Sequence, residues 1–264
     1  MQPHLSENKK VDVVIRTFNS AHTLERCIRS VKDHIPYEKI IVVDHCSTDS
    51  TREIALSHNV DYYGEEVGLG FATKLGISKS STEFMLFVDS DVEIVSGTFF
   101  QEAMKYFVSK RVGAVVGCSV GYIFAYGLPL GLTIFRREFA SGVHMPDRIQ
   151  GRETYYFQEN LKKNSLKVRY VKDAMIHRSE YRKIPNWPEW QGAQIRFTPG
   201  NHYRQVIWAL AITFMMHFNS RNLKNIAYSP IYYFKILVGF MNPERWGKID
   251  RREVSLSGNP ERGG

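Results

Sequence analysis

The apolar run "FMLFVDSDVEI" (84–94) breaks on two aspartates, Asp89 and Asp91, one residue apart. Two like carboxylates at that spacing repel, and one tends to hold its proton unless a cation relieves the conflict. A hard divalent ion such as Mn2+ or Mg2+ prefers oxygen ligands and bridges readily to phosphate oxygens. The pair is therefore a candidate metal site; a turn rich in aspartate is the competing reading. Asp44, the last residue of "KIIVVD", is another carboxylate at the end of an apolar run, and it either meets a ligand or caps the "STDST" turn behind it.

The surrounding segments explain why these carboxylates would share an edge. "VDVVI" (11–15), "IIVV" (40–43) and 84–88 are short β-branched or apolar runs that read as buried strands. Between them, Leu24, Cys27, Ile28 and Val31 recur at helical spacing, which predicts a helix over 21–34. Ser50 and Glu53 stand in capping-box spacing before a second helix, and a third covers about 68–79. Strands alternating with helices predict an α/β fold, a largely parallel sheet covered on both faces. Ligands of such sheets bind at the carboxyl ends of the strands, where Asp44 and Asp89 fall. Further on, 99–108 and 152–164 read as helices, 112–120 as a strand, 121–131 as a Gly-rich loop, and "LKVRYV" and "AMIH" as closing strands.

With 264 residues, 43% of them hydrophobic, the chain can build one large domain with an appendage. Cys27, Cys46 and Cys118 are odd in number and lack paired spacing, so reduced thiols are expected rather than a disulfide framework or zinc site. The start, "MQPHLSENKK", lacks the apolar core of a signal peptide. The net charge of +8 concentrates at the far end: residues 199–252 hold eight Lys or Arg against two acids. Anionic lipid, nucleic acid and phosphorylated substrates are the partners such an excess suits.

Four stretches, in order, resemble the inverting glycosyltransferases of family 2, which have the GT-A fold. "VVIRTFNSAHTLERCIRSV" is similar to the family's opening strand, T-[YF]-N turn and first helix. "KIIVVDHCSTDST" is similar to its I-I-V-V-D-D-G-S-T-D-x-T segment, "GLGFATKLGISKS" to its G-x-x-x-A-x-N-x-G helix, and "FMLFVDSDVEI" to its D-x-D strand. A D-x-D also opens the phosphatases with an aspartyl nucleophile, but there it lies on the first strand. The resemblance implies a nucleotide-sugar donor with Thr17 and Phe18 near its base and Asp44 on base or ribose. It places Asp89 and Asp91 on the Mn2+ or Mg2+ that holds the diphosphate. Two departures stand out: His45 replaces the second aspartate of "DD", and Lys74 replaces the asparagine of the third motif, where it would meet a phosphate or solvent.

"GRETYYFQENLKKNSLKVRYVKDAMIHRSE" resembles the family's acceptor region more loosely. There the usual catalytic aspartate is Thr154, which leaves Glu153 as the implied base, with Asp147 and Glu159 as weaker substitutes. His177 matches the family's closing histidine and would be a third metal ligand. "WQGAQIRFTPG" is similar to the Q-[QR]-x-R-W segment of processive, membrane-associated members. It would bring Arg196 to the donor diphosphate and Phe197 to an acceptor sugar.

Beyond residue 198 the character changes. "VIWALAITFMM" (206–216) is an apolar run of 11 residues, about 17 Å of helix against ~30 Å of hydrocarbon, too short to span. "IAYSPIYYFKILVGFM" (226–241) is interrupted by Pro230 and Lys235. Aromatic, apolar segments flanked by Lys and Arg suit helices lying in a membrane interface; packing on the catalytic core is the alternative. The expected organisation is a GT-A domain over 1–198, interfacial helices over 199–241 and a basic, partly disordered tail over 242–264. The expected partners are a lipid-linked or glycan acceptor, such as a polyprenyl-phosphate, and an anionic membrane at its cytoplasmic face, with no nucleic acid. A soluble transferase acting on polysaccharide or small acceptors, and an inactive nucleotide-binding relative, are the alternatives.

Overall fold

The computed structural model describes residues 9–149, 151–178 and 187–246. Within these, one compact unit comprises 9–121, 127–149 and 153–178, and a second comprises 122–126, 151–152 and 187–246. The 242–264 tail lies outside the described residues from 247 onward.

The first unit follows the expected alternation: β1 (Val11–Thr17), α1 (Ala21–His34), β2 (Tyr37–Asp44), α2 (Thr51–Ser57), β3 (Asp61–Gly64), α3 (Leu69–Lys79) and β4 (Phe84–Asp89). It continues with β5 (Val92–Ile94), α4 (Phe99–Phe107), β6 (Val112–Ser119), β7 (Leu132–Arg136), α5 (Arg137–Ser141), α6 (Glu153–Lys163) and β8 (Lys167–His177). The sheet runs β3-β2-β1-β4-β7-β6-β8-β5. Its first four strands are parallel, as alternation with helices dictates. Its other half is mixed, because β7 runs antiparallel to both β4 and β6, and β5 antiparallel to β8. The two expected closing strands are a single β8, which turns at Asp173 (φ 52°) where its register to β6 shifts.

Period-2 alternation sends successive side chains to opposite faces. Val13, Ile15, Leu86 and Val88 pack with Leu24, Ile28, Phe100 and Phe107 on one face. Val14, Met85 and Phe87 pack with Ala72, Phe139 and Phe157 on the other. Each large apolar side chain so enclosed contributes about 1.5–3 kcal/mol. This two-sided burial holds the carboxyl ends of β1, β2 and β4 level.

One local expectation is corrected. Ser50 does not cap α2 through its side chain. Asp49 takes that place: its carboxylate accepts the Thr51 amide at 3.0 Å and the Ala21 amide at 3.1 Å, tying the start of α1 to the turn. A carboxylate satisfies more amide donors than a hydroxyl, so it wins the cap.

The second unit contains α7 (Trp187–Phe197), α8 (His202–Asn219), α9 (Leu223–Met241) and a 3-10 turn, Pro243–Arg245. Its helical part begins with α7, ahead of the boundary expected at 198. α7 and α9 touch backbone to backbone at two glycines: a Cβ on Gly192 would lie 1.9 Å from the Ile236 carbonyl oxygen, and one on Gly239 1.8 Å from that of Glu189. Asn201 and Asn222 cap α8 and α9 by accepting the Arg204 and Lys224 amides. α9 runs on through Pro230, so that residue does not break the segment as its sequence suggested. Among the described residues no helix is long and apolar enough to cross a membrane.

Candidate active site

Register alone assembles the first part of the site. Parallel pairing sets Thr17 beside Asp44 and Arg16 beside Asp89, so the ends of β2, β1 and β4 form one row. Asp44 is fully buried. It accepts the Ser47 amide (3.0 Å), the Ser47 hydroxyl (2.5 Å) and the Tyr62 hydroxyl (2.7 Å). Burial, then the bond to Asp44, pushes the Tyr62 phenol up, which keeps it a donor. Asp44 thus shapes the turn, as the capping alternative anticipated. Thr17 is buried, and its hydroxyl has no hydrogen-bond partner among the described residues. Asn19, in the left-handed region (φ 48°), accepts the Thr48 amide and locks the β1 turn to the β2 turn.

The residue that follows Asp44 carries more of the site than sequence reasoning gave it. His45 Nδ1 lies 2.6 Å from Glu65 Oε1, and Glu65 Oε2 accepts the Val67 and Gly68 amides at 2.8 Å each. An ionised carboxylate offers only acceptors, so Nδ1 carries the proton of that bond, and in the neutral ring the far nitrogen Nε2 is an acceptor. The Phe18 ring stands edge-on to His45 at 5.8 Å. No sequence signal linked positions 45 and 65; β3, which brings them together by pairing with β2, is a four-residue strand absent from the sequence reading.

Asp91 and His177 meet for a topological reason. Only Ser90 and Asp91 separate β4 from β5, and β5 pairs with the end of β8, beyond its turn at Asp173, so that Val92 faces His177. That register leaves His177 Nδ1 3.5 Å from Asp91 Oδ1. Gly131 separates this pair from Asp89: a Cβ there would lie 3.3 Å from Asp89 Oδ2 and 3.5 Å from His177 Cε1. Among the described residues no three His, Cys, Asp or Glu side chains are grouped so as to hold a metal ion, so Asp89, Asp91 and His177 do not stand together as the expected three-ligand set. Asp91 and His177, two candidate ligands beside a cradle kept open by glycine, would fit a hard ion whose remaining positions go to phosphate and water. Burial, then the charges of Asp91 and Asp89, pushes the Cys27 thiol well up, so it stays protonated behind the carboxylates.

Asp89 itself turns to Arg16, Oδ1 to Nη2 at 3.5 Å. The same guanidinium donates through Nη1 to Glu153 Oε1 at 3.2 Å and to Thr73 Oγ1 at 3.0 Å. Glu153 is the first residue of α6, where the helix dipole favours a carboxylate, and its side chain is 6% exposed. Arg16 was not singled out in the sequence, yet it joins the two carboxylates that were. Lys74 is engaged elsewhere, with Asp147 and, at 3.2 Å, the Met145 carbonyl, so a phosphate would have to draw it off Asp147. Arg196 belongs to the second unit, its guanidinium over the Phe240 ring at 5.3 Å; Phe197 beside it is exposed.

Comparison with known proteins gives this geometry a context. Residues 12–184 match the model of a family described as glycosyl transferase family 2. The putative teichuronic acid biosynthesis glycosyltransferase TuaG of Bacillus subtilis is 30% identical over 89 residues, 31% of this chain and 35% of that protein. The cholesterol galactosyltransferase of Borreliella burgdorferi is 30% identical over 122 residues, 44% of this chain and 33% of that one. These matches span about a third of the two relatives' own length. Among solved structures, glucosyl-3-phosphoglycerate synthase from Mycobacterium tuberculosis with Mn2+, UDP and glucosyl-3-phosphoglycerate superposes with a TM-score of 0.56. It is 19% identical, over 71% of this chain and 76% of that one, a likeness of fold.

Proposed function

Because the chain belongs to glycosyl transferase family 2, we propose that it transfers a sugar, with inversion, from a UDP- or GDP-linked donor to an acceptor hydroxyl in a Mn2+- or Mg2+-dependent reaction. One observation carries the reading: β1, β2 and β4 end level, with the Asp91–His177 pair on one side and Glu153, held by Arg16, behind. The donor's base would lie at Thr17, Phe18 and His45, and its diphosphate at Asp89. Asp91 and His177 would hold the metal, with Asp89 beside them; when bound, such an ion neutralises charge on the departing nucleoside diphosphate. Glu153 removes the acceptor's hydroxyl proton. That oxygen then forms the new bond to the anomeric carbon as the bond to the donor phosphate breaks on the opposite face.

A buried carboxylate serves a hydroxyl nucleophile, whereas a phosphate acceptor is already anionic and needs no base. We therefore favour the hydroxyl of a lipid-linked glycan over a polyprenyl-phosphate. The lipid half of this reading rests on the second unit. Tyr203, Ile207 and Trp208 of α8 and Leu223, Ile231 and Phe234 of α9 are exposed, in a stretch where basic residues outnumber acids. A peripheral position on a cytoplasmic leaflet follows from it.

The test is a panel of UDP- and GDP-sugars, scored for Mn2+-dependent thermal stabilisation and for transfer to lipid-linked acceptors. Glu153→Gln abolishes transfer to a hydroxyl; unchanged transfer moves the base elsewhere. The membrane reading is tested by flotation with phosphatidylglycerol vesicles. Ile207→Glu/Phe234→Glu should stay at the bottom of the gradient, and a wild-type protein that also stays there removes the interfacial role.

A further inference from the structure

Arg16 is a nearly buried cation, its side chain 9% exposed, placed between two carboxylates by different routes. Asp89 reaches it by strand register, since Arg16 and Asp89 are paired residues of β1 and β4. Glu153 reaches it from the start of α6, 137 residues later. Two further features fix the guanidinium. The Thr73 hydroxyl accepts from Nη1 and is itself oriented by donating to the Leu69 carbonyl at 2.7 Å. The Phe87 ring lies beneath, 5.6 Å from the guanidinium carbon. α3 comes near enough for the Thr73 contact because Gly76, one helical turn on, has no Cβ: one there would lie 2.4 Å from Val14 Cγ1.

A carboxylate with 6% of its side chain exposed pays heavily to be ionised unless a cation faces it. Arg16 is that cation for Glu153, and its planar fork also sets the direction of the carboxylate. We propose that Arg16 is the positioning residue of the base: it holds Glu153 ionised and aimed, and acts on the reaction through Glu153 rather than by touching the sugar. The proposal rests on Glu153 being the base.

The experiment is a double-mutant cycle on the full chain, with Arg16→Met, Glu153→Gln and the double variant, and with Arg16→Lys as the conservative change. The probe is Mn2+ with UDP-glucose, UDP-galactose, UDP-N-acetylglucosamine and GDP-mannose, read as slow release of nucleotide by transfer to water. UDP–Mn2+ affinity is measured by calorimetry, and denaturant unfolding is run on the wild type and the same four variants. Arg16→Met should lower turnover about 100-fold, the low end of what a positioned base supplies. The double variant should be no slower than Glu153→Gln. UDP affinity should stay within about threefold, and Arg16→Lys should recover roughly a tenth or more of the wild-type rate by restoring the charge without the fork. The unfolding cycle should be non-additive, with the double variant regaining stability because it buries no unpaired charge.

Multiplicative losses of turnover in the double variant overturn the proposal, as does UDP–Mn2+ affinity falling in step with turnover in Arg16→Met. Arg16 would then act on the donor through Asp89. Additive unfolding energies overturn it too, since the pair would not exist in solution. Wild-type turnover in Glu153→Gln is a separate outcome: it removes the base reading itself, and the positioning role with it.

Discussion

Glu65→Gln changes one oxygen to an NH2 group and should reverse the chemistry that His45 presents. In the native arrangement Oε2 accepts two amides, Val67 and Gly68, and Oε1 faces His45 Nδ1. A glutamine cannot turn its NH2 toward Val67 and Gly68, because donors would face donors. Its carbonyl must take that side, and its NH2 then points at Nδ1, which has to become an acceptor. The imidazole proton moves to Nε2, and the outer nitrogen changes from acceptor to donor. The energetic cost follows from three hydrogen bonds that lose their charged acceptor. Bonds to charged groups are worth about 1.5–3 kcal/mol and neutral ones about 1, so each bond loses at least about 0.5 kcal/mol and the three together cost about 2 kcal/mol at the low end. For a chain of this size that corresponds to a fall in Tm of roughly 4–8 °C. Calorimetry measures the fall, and long-range 15N–1H NMR of the imidazole reads the tautomer directly. A wild-type His45 carrying its proton on Nε2, or a Glu65→Gln protein with unchanged Tm, refutes the reasoning.

Three other perturbations probe separate parts of the molecule. Gly131→Ala puts a methyl 3.3 Å from Asp89 Oδ2 and should weaken Mn2+-dependent UDP binding about tenfold with little change in Tm, as calorimetry would show. Gly192→Ala drives a methyl into the Ile236 carbonyl and should cost about 1–3 kcal/mol or more, seen as faster limited proteolysis between α7 and α9. Acidification should destabilise the fold. Burial lowers the His217 pKa, and burial followed by Lys32 lowers that of His58. The folded state therefore binds fewer protons than the unfolded one, and this contribution, complete above the unfolded value of about 6.5, is lost as pH falls below it. Tm should drop between pH 7 and pH 5, and His217→Gln should flatten that slope.

Much of the catalytic unit was legible because its signals are local. The helix over 21–34 and the strand ending at Asp89 follow from spacing of apolar residues, and the structure has α1 at Ala21–His34 and β4 at Phe84–Asp89. β3 and β7 were not, being short strands whose pairing, not their composition, makes them strands. The capping box at Ser50 failed because a motif names a possible bond, and Asp49 offered a better one. Arg16 was invisible as a site residue because both its carboxylate partners lie far along the chain, 73 and 137 residues away.

The sequence by itself determined the chemistry available: carboxylates at strand ends, the alternation that builds a parallel half-sheet, and four ordered motifs that mark the family. Tertiary structure decided which of those groups meet. The pairing of β5 with the end of β8 put His177 against Asp91, and the neighbouring strands β2 and β3 joined His45 to Glu65. The start of α6 supplied Glu153 to an arginine on β1. Pattern along a chain fixes which face a side chain takes, because that depends on a period of a few residues. Which partner waits on that face depends on strand order and register, and those are properties of the whole sheet.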